Sequence, residues 1–270
     1  MNAEDYLRSG QLDEAMACLR EDVKKSPADA KLRIFLFQLL SVAGQWEKAL
    51  TQLQVLEEMD ADSMLMAQIY TPVLHCEALR SEVFAGKRSP LIFGDPEEWM
   101  GLLVQASQLA AAGQMDASRE VQERAFEAAP TVGGKINDEP FEWIADADSR
   151  LGPVLEVIME GKYYWVPFSR IQKIHVEPPT DLRNFVWTAA QFIWTNGGSA
   201  PGFIPTRYAG TESSPDPVLR LSKRTDWEQK AENFHVGLGQ RLFATDAADY
   251  PLLEVRTVEF TPDAPVATGA

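Results

Sequence analysis

The sequence predicts an α+β protein in which N-terminal α-hairpin repeats precede a β-rich domain with short helices. A glycine-centred motif recurs in the first half. After Ala129 the chain carries a cluster of breakers, and the segments beyond it are short, aromatic and β-branched, as is typical of strands. We therefore expect an α-helical repeat domain over residues 1–130 and a β-rich α+β domain over residues 131–270.

The repeat unit predicts helical hairpins. The segment from Gly10 to Ala15 (GQLDEA) is matched 34 residues later by Gly44 to Ala49 (GQWEKA), and Gly113 to Ser118 (GQMDAS) follows 69 residues after that. The glycine ends the first helix of a pair, and the small sixth residue lets the second helix approach closely. The period resembles that of tetratricopeptide repeats (TPR). Such stacked hairpins expose a concave surface that commonly holds a peptide or helix of a partner.

The remaining helices follow from apolar pattern and capping residues. Residues 32–40 are apolar nearly all round, which predicts a buried helix. A hairpin near residues 63–86 is expected to fill the gap between the second and third glycine motifs. Ser26 is the predicted N-cap ahead of Pro27, and Asp95 is the predicted N-cap ahead of Pro96.

The second half predicts a small mixed or barrel-like sheet. Its strand pairs are separated by turn signals at Glu160-Gly161-Lys162 and Asn196-Gly197-Gly198. The expected strands are residues 155–159, 163–166, 171–177, 191–195, 203–204, 206–208, 236–243 and 252–260. Short helices are expected at residues 181–186 and 218–229, and the tail 261–270 is expected to be loose.

Composition excludes several classes of partner. The net charge of −15 disfavours nucleic acid and anionic membranes. No apolar window is long enough to span a bilayer, and the N-terminus lacks a signal peptide's basic and apolar regions, so we expect a cytoplasmic protein. Cys18 and Cys76 are expected to be reduced and buried. No cofactor is expected, because neither Gly237-Leu238-Gly239 nor Gly161-Lys162 completes a nucleotide-binding loop.

The segment EWIADADSR, from Glu142 to Arg150, is the main candidate site. Asp146 and Asp148 suggest a metal or acid–base site, but the further ligands of a calcium loop are missing. A polar turn in which Arg150 pairs with an acid is the simpler interpretation, and a docking loop anchored by Trp143 is the third. A strand with alternating aromatics leaves room for an exposed patch at Tyr164. The candidate partner-binding residues are Trp143, Asp146, Asp148, Arg150 and Tyr164.

Longer stretches of the chain resemble one known family. They are residues 88–99 (RSPLIFGDPEEW), 141–153 (FEWIADADSRLGP), 163–167 (YYWVP), 205–208 (PTRY), 237–241 (GLGQR) and 249–253 (DYPLL). Together they resemble the ImpE family, also called TagJ or SciE-type proteins. The resemblance implies a non-enzymatic, cytoplasmic accessory protein of bacterial type VI secretion. Such a protein binds the small subunit of the contractile sheath and links it to the ClpV-type ATPase that disassembles the sheath.

Two other functions remain open at the level of sequence. One is a metal-dependent enzyme of unknown type that uses Asp146 and Asp148 with a histidine of the second half, His175 or His235. The other is a scaffold that assembles with itself. Bound metal in the purified protein is expected only for the enzyme.

Overall fold

A computed structural model describes residues 1–59 and 61–261, and it confirms the α+β class with helical repeats before a strand-rich region. The helices are α1 (Ala3–Arg8), α2 (Leu12–Lys25), α3 (Ala30–Val42), α4 (Trp46–Glu57), α5 (Ala61–Phe84), α6 (Glu98–Ala111), α7 (Met115–Ala128) and α8 (Pro217–Arg220). In the described part of the chain, no helix is both long enough and apolar enough to cross a bilayer.

The glycine motifs form the predicted helical hairpins. Gly10, Gly44 and Gly113 separate α1 from α2, α3 from α4 and α6 from α7, with φ angles of +77°, +66° and +75°. These angles favour glycine over any residue with a Cβ. The small residue at the sixth position of each motif is fully buried, so the paired helices can approach closely.

Three details of the helical half were predicted wrongly. Residues 61–84 form one helix, α5, and not a hairpin; no glycine interrupts the segment, and Pro72 lies inside the helix. The N-cap of α3 is Asp29 and not Ser26, because its carboxylate accepts hydrogen bonds from two backbone N–H groups of the first turn. Helix α6 begins at Glu98, with Glu97 and not Asp95 at the N-cap position.

The second half contains a nine-stranded sheet in the order β1-β6-β5-β9-β8-β7-β14-β2-β3. Its strands are β1 (Leu91–Ile92), β2 (Gly134–Ile136), β3 (Glu139–Phe141), β5 (Val154–Met159), β6 (Lys162–Pro167), β7 (Ile171–Val176), β8 (Trp187–Trp194), β9 (Ser199–Pro205) and β14 (Thr257–Phe260). A three-stranded sheet contains β4 (Ile144–Asp146), β12 (Leu242–Thr245) and β13 (Asp249–Pro251), and a ribbon contains β10 (Thr225–Ala231) and β11 (Phe234–Gly239). The large sheet is mixed, since β1 pairs with β6 in parallel, and it is open, since no strand of the described residues joins β1 to β3.

The two predicted hairpins are present, while other predictions for this half need correction. β5–β6 and β8–β9 are antiparallel pairs joined at the predicted turns. Residues 218–229 do not form a helix: α8 ends at Arg220, and β10 begins at Thr225. Residues 206–208 do not form a strand and make only an isolated bridge, between Arg207 and Gln240. Residues 262–270 of the expected tail lie outside the described residues.

The two halves share one hydrophobic core. Tyr70 of α5 packs on Trp187 of β8 and Phe203 of β9, with ring centroids 5.7 and 5.4 Å apart. Trp46 at the start of α4 lies 6.0 Å from Trp187. Helices α4 and α5 therefore pack against the sheet of the same chain. The boundary near residue 130 stays a prediction; it falls between the end of α7 and the start of β2.

Candidate functional site

The loop after β4 places its carboxylates inside the protein. Asp148 is fully buried, and its two oxygens accept bonds from Arg150 Nε at 2.9 Å and Nη2 at 2.6 Å. It also accepts from the backbone N–H groups of Arg150 and Gly237, each at 2.9 Å. The guanidinium of Arg150 lies over the ring of Phe84, 4.5 Å from its centroid. Asp148 therefore ties the loop to β11 and to the end of α5.

Asp146 is directed into the same interior and is only 3% exposed. One carboxylate oxygen accepts from the backbone N–H of Asp148 at 2.9 Å, and the other forms an ion pair with Arg241. Burial raises the pKa of Asp146 to about 7, although the positive charge of Arg241 acts in the opposite direction.

Glu156 of β5 is the centre of the buried network. It accepts from Arg80 Nε at 2.6 Å and Nη2 at 2.9 Å, from the Tyr163 hydroxyl at 2.5 Å, and from Arg241. Burial alone would raise the pKa of Glu156, but the charges of Arg80 and Arg241 outweigh it and lower the pKa to about 2. Glu156 is therefore ionised and shared by two guanidinium groups.

Helix α5 supplies the other side of the network. Glu77 lies one turn before Arg80 and accepts from Trp187 Nε1 at 2.8 Å, and burial raises the pKa of its carboxyl group. Arg80 also donates to the backbone carbonyl of Arg207 at 2.9 Å. The buried ion pair of Arg80 and Glu156 thus joins helix α5 to the sheet.

Arg207 joins the second repeat to the sheet in another way. Its guanidinium donates to the carbonyl oxygens of Val42 at 2.7 Å and Ser41 at 2.9 Å, which are at the C-terminal end of α3. It also donates to the carbonyl of Arg220 at 2.8 Å. A cation at this helix end is favourable because the last carbonyls lack intrahelical partners.

This arrangement supports structure more readily than catalysis. The oxygens of Asp146, Asp148 and Glu156 are already bound by guanidinium and backbone N–H groups. Within residues 1–59 and 61–261, no group of three or more potential ligands is placed to hold a metal ion. His175 is exposed on β7, and His235 meets the loop only through its backbone bonds with Ser149. Cys18 and Cys76 are both free, and Cys76 is buried.

The five predicted partner-binding residues do not share one surface. Trp143 is 41% exposed, just before β4, where its backbone N–H and that of Glu142 point to Asp246. Arg150 is largely enclosed by its pair with Asp148. Tyr164 is half-buried against Phe93, so it does not form an exposed aromatic patch. Of this set, Trp143 is the side chain that presents an apolar surface to solvent.

Sequence reasoning missed most of the network. The sequence patterns described above give no role to Arg80, Glu156, Arg207 or Arg241. The available signal was a single charge within an apolar run, as in the segment Leu155-Glu156-Val157-Ile158. Such a charge is rarely buried without a partner. Its partners come from distant parts of the chain, 76 and 85 residues away in sequence, and pattern alone does not identify them.

A second feature lies at the other end of α5. A groove of about 510 Å³ opens between this helix and strands β8 and β9. Its helical wall includes Ile69 and Pro72, and its floor includes Ala189 and Phe203. Unlike the ion network, this groove is open to solvent and mostly apolar.

Comparisons with known proteins agree with the two-part architecture. The sequence profile of the ImpE protein family matches residues 138–259, and a tetratricopeptide-repeat profile matches residues 6–69. A Pseudomonas aeruginosa protein named "Type VI secretion system accessory component TagJ" is 47% identical over 262 residues, which are 97% of this chain and 92% of that protein. The crystal structure of a Vibrio parahaemolyticus protein is 26% identical and covers 96% of this chain and 97% of its own, with a TM-score of 0.88.

Proposed function

Because the chain belongs to the ImpE family, we propose that it is a non-enzymatic adaptor of type VI secretion that acts in the cytoplasm. In this role it binds an amphipathic helix of the small sheath subunit and links that subunit to the ClpV-type ATPase. The observation that carries the proposal is the 47% identity, over 97% of the chain, to a protein named as a type VI secretion accessory component.

The structure supports an adaptor in two ways. The titratable groups of the buried network hold the two halves together and leave no carboxylate of the Asp146-Asp148 pair available to a substrate or metal. The protein also offers preformed apolar surfaces where the repeats meet the sheet. A preformed groove favours helix binding because little ordering of the receptor is required.

Trp143 is proposed as an additional contact at the exposed end of the loop. Its side chain is available to a partner, whereas Asp146, Asp148 and Arg150 contribute by fixing the loop. Tyr164 would contribute only by supporting Phe93. Substitution of Arg150 would disturb the buried Asp148, so Trp143→Ala is the cleaner test of the loop.

The test is calorimetric titration of the full chain with the purified small sheath subunit, followed by co-purification with the ATPase. We expect saturable binding of the sheath subunit, and capture of the ATPase that increases when the subunit is present. An absence of heat and co-elution at protein concentrations of about 100 μM would contradict the adaptor function, since the affinity would then be weaker than about 1 mM.

A further inference from the structure

We propose that the outer edge of β10 binds an extended, basic segment of another protein, which adds to the β10–β11 ribbon as a third strand. The contact would be made mainly by backbone groups, in contrast to the side chains of the groove beside α5. It would therefore be a second binding surface, separate from the one used for the sheath subunit. Its partner is defined by chemistry: an extended backbone with lysine or arginine at alternate positions.

The hydrogen-bonding pattern of the ribbon determines which groups of β10 point outward. In an antiparallel pair, residues that bond across to the partner strand alternate with residues whose N–H and C=O groups point away from it. The N–H of Gln240 donates to the carbonyl oxygen of Arg224 at 2.9 Å, so Arg224 is a bonded position. The alternate positions, Thr225, Trp227 and Gln229, therefore direct their backbone groups away from β11.

The outer edge of β11 shows the same alternation, and the protein itself covers it. The N–H of His235 donates to Ser149 Oγ at 2.9 Å, and its carbonyl oxygen accepts from the Ser149 N–H at 3.0 Å. The N–H of Gly237 donates to the Asp148 carboxylate at 2.9 Å. His235 and Gly237 are the residues opposite Gln229 and Trp227. Outward groups on β11 confirm that the residues opposite them on β10 also point outward.

The outer edge of β10 has no such cover. Within the described residues, no hydrogen bond is formed by the backbone N–H and C=O groups of Thr225, Trp227 or Gln229. Residues 227–230 are exposed to solvent. An unpaired edge is the template to which an extended chain adds, and proteins usually cover or shorten such edges. The seven-residue strand β10 instead presents a continuous row of donors and acceptors.

The ribbon is held in place, so its open edge is preformed. At its tip, Arg119 of α7 contacts Glu232 at 3.7 Å. On one face, the ring of Trp227 packs against the ring of Tyr208, with centroids 5.6 Å apart. A Cβ added to Gly237 would lie 2.2 Å from the Tyr208 ring, so the ribbon lies directly on that residue. Binding to a preformed edge requires little ordering of the receptor.

Trp227 would provide an apolar anchor for the added strand. Its side chain is 40% exposed, although it packs on Tyr208. Because Trp227 is an outward position, the residue directly opposite it in the added strand would exchange both backbone hydrogen bonds with it. Side chains at opposite positions lie about 5 Å apart, and pairs of an aromatic and a β-branched residue are favourable. We therefore expect valine, isoleucine or threonine opposite Trp227.

The charges of β10 favour a basic segment over a second copy of the chain. Residues 225–232 carry three acids and one lysine. Asp226 and Glu228 form ion pairs with Arg224 and Lys230, but exposed pairs of this kind contribute little. Two copies of β10 paired antiparallel about Trp227 would place each Asp226 opposite Glu228 of the other copy, which is destabilising. The net charge of −15 adds to this repulsion and attracts lysine or arginine.

The test is calorimetric titration of the full chain with a capped synthetic peptide of about ten residues, in which lysine alternates with valine or threonine. We expect saturable binding with Kd below about 1 mM. In the proposed pairing, the N–H groups of the valine and threonine residues face β10, whereas those of the lysines face solvent. N-methylation of the former should increase Kd at least about tenfold, and N-methylation of the lysine backbone nitrogens should leave it unchanged.

Variants of the protein test the same edge from the other side. Gln229→Pro removes an outward N–H and leaves the bonds to β11 in place, as is tolerated on edge strands. Its Kd for the peptide should be at least about tenfold higher than that of Gln229→Ala. Glu228→Lys should increase Kd about three- to tenfold, and Glu139→Lys, on the exposed edge strand β3, should have no effect.

Amide hydrogen exchange reports on the edge directly. Bound peptide should slow exchange at Thr225, Trp227 and Gln229, whose N–H groups have no partner in the described part of the free chain. The N–H of Gly237, already bonded to Asp148, should exchange at an unchanged rate. Slowed exchange at Gly237 alone would place the peptide on the other edge and overturn the proposal.

Three further results would overturn it. One is no binding of the unmethylated peptide. Another is an equal Kd for the two methylated peptides, which would indicate attraction by charge alone; this comparison uses the wild-type chain and remains decisive if Gln229→Pro does not fold. The last is a wild-type dimer that Gln229→Pro converts to a monomer, because a second copy would then occupy the edge. None of these results bears on binding of the sheath subunit.

Discussion

The two ends of helix α5 meet the same sheet in opposite ways. At its C-terminal end, Glu77 and Arg80 enter a sealed network in which charged groups are fully desolvated. At its N-terminal end, Leu65 and Ile69 leave apolar surface in contact with water. The first arrangement fixes how the repeats sit on the sheet, and the second leaves an apolar stripe of α5 exposed to water. One helix thus carries a buried ionic contact at one end and an exposed apolar stripe at the other.

Substitutions in the buried ion network should destabilise the protein more than substitutions at the exposed end of α5. Glu156→Ala removes the carboxylate that Arg80 and Arg241 share and leaves two guanidinium groups buried without it. Loss of one partner of a buried pair typically costs about 3–5 kcal/mol. We expect a loss of this size in the free energy of unfolding, measured by urea denaturation.

Glu139→Ala, at an exposed position, is the control and should change stability by less than about 0.5 kcal/mol. If Glu156→Ala does not fold, Glu156→Gln keeps the shape and one of the two acceptor oxygens, and it should be destabilised to a smaller extent. A midpoint of urea denaturation for Glu156→Ala equal to that of wild type would show that the network does not hold the two halves together.

A smaller effect is expected for Arg207→Met. The substitution keeps much of the apolar stem but leaves the carbonyls of Ser41 and Val42 without their donor. Burial already lowers the pKa of Arg207 to about 10, so the charge itself is costly to enclose, and the net loss should be about 2–3 kcal/mol.

Amide hydrogen exchange distinguishes this mechanism from general loosening. The N–H of Ala43 bonds to the carbonyl of Leu39 in the last turn of α3, and it should exchange faster in Arg207→Met. Amides in α7 should exchange at the rates of wild type once the difference in global stability is taken into account. Uniform acceleration in both helices would contradict a local role at the end of α3.

The pH dependence of stability tests the charges within the network. The folded pKa of Glu156 is lowered to about 2, so its contribution is present above its unfolded pKa and is lost as the pH falls towards 2. The folded pKa of Asp146 is raised to about 7, so its contribution is present below its unfolded pKa and is lost as the pH rises through 7. The stabilising contribution of Glu156 is therefore lost at low pH, whereas that of Asp146 is lost at high pH.

Asp146→Asn separates the two, because an amide resembles the protonated acid and does not titrate. The stability of this variant relative to wild type should increase between pH 4 and pH 8. Over this range the free energy of unfolding of wild type falls, because Asp146 ionises more readily in the unfolded chain than in the folded one. Urea denaturation of both proteins across this range provides the measurement. A relative stability that decreases with pH would mean that the ion pair with Arg241 outweighs burial.

The sequence predicted the architecture well because the relevant signals are local. Glycines at a fixed period, and turn residues such as Glu160-Gly161 between apolar runs, determine their own backbone conformation. The hairpin expected near residues 63–86 was wrong because it rested on the repeat spacing alone: no glycine interrupts the segment, and Pro72 lies inside one helix. The helix predicted at residues 218–229 was also wrong, because β10 is stabilised by its pairing with β11 and has no strong sequence pattern of its own.

The site was harder to predict because it depends on contacts between distant segments. The prediction that Arg150 pairs with an acid is a contact within one turn, and the structure shows it with Asp148. The sharing of Glu156 by Arg80 and Arg241 requires the repeats, β5 and the segment before β12 to be assembled first. Likewise, an apolar residue such as Ile69 looks like core in sequence, and only the folded chain shows that the described residues leave 44% of it exposed.

The smallest expected effect is the most informative about the open end of α5. Ile69→Ser together with Leu65→Ser should change the free energy of unfolding by only about 1 kcal/mol, because Leu65 is 58% and Ile69 44% exposed and little burial is lost. Leu74→Ser is the matched control on the same helix: its side chain is buried, and its loss should cost about 2–5 kcal/mol. Urea denaturation of the three proteins compares them directly. A cost for the exposed pair that approaches that of Leu74→Ser would show that the chain itself covers this stripe in solution, and the two ends of α5 would then serve the same structural purpose.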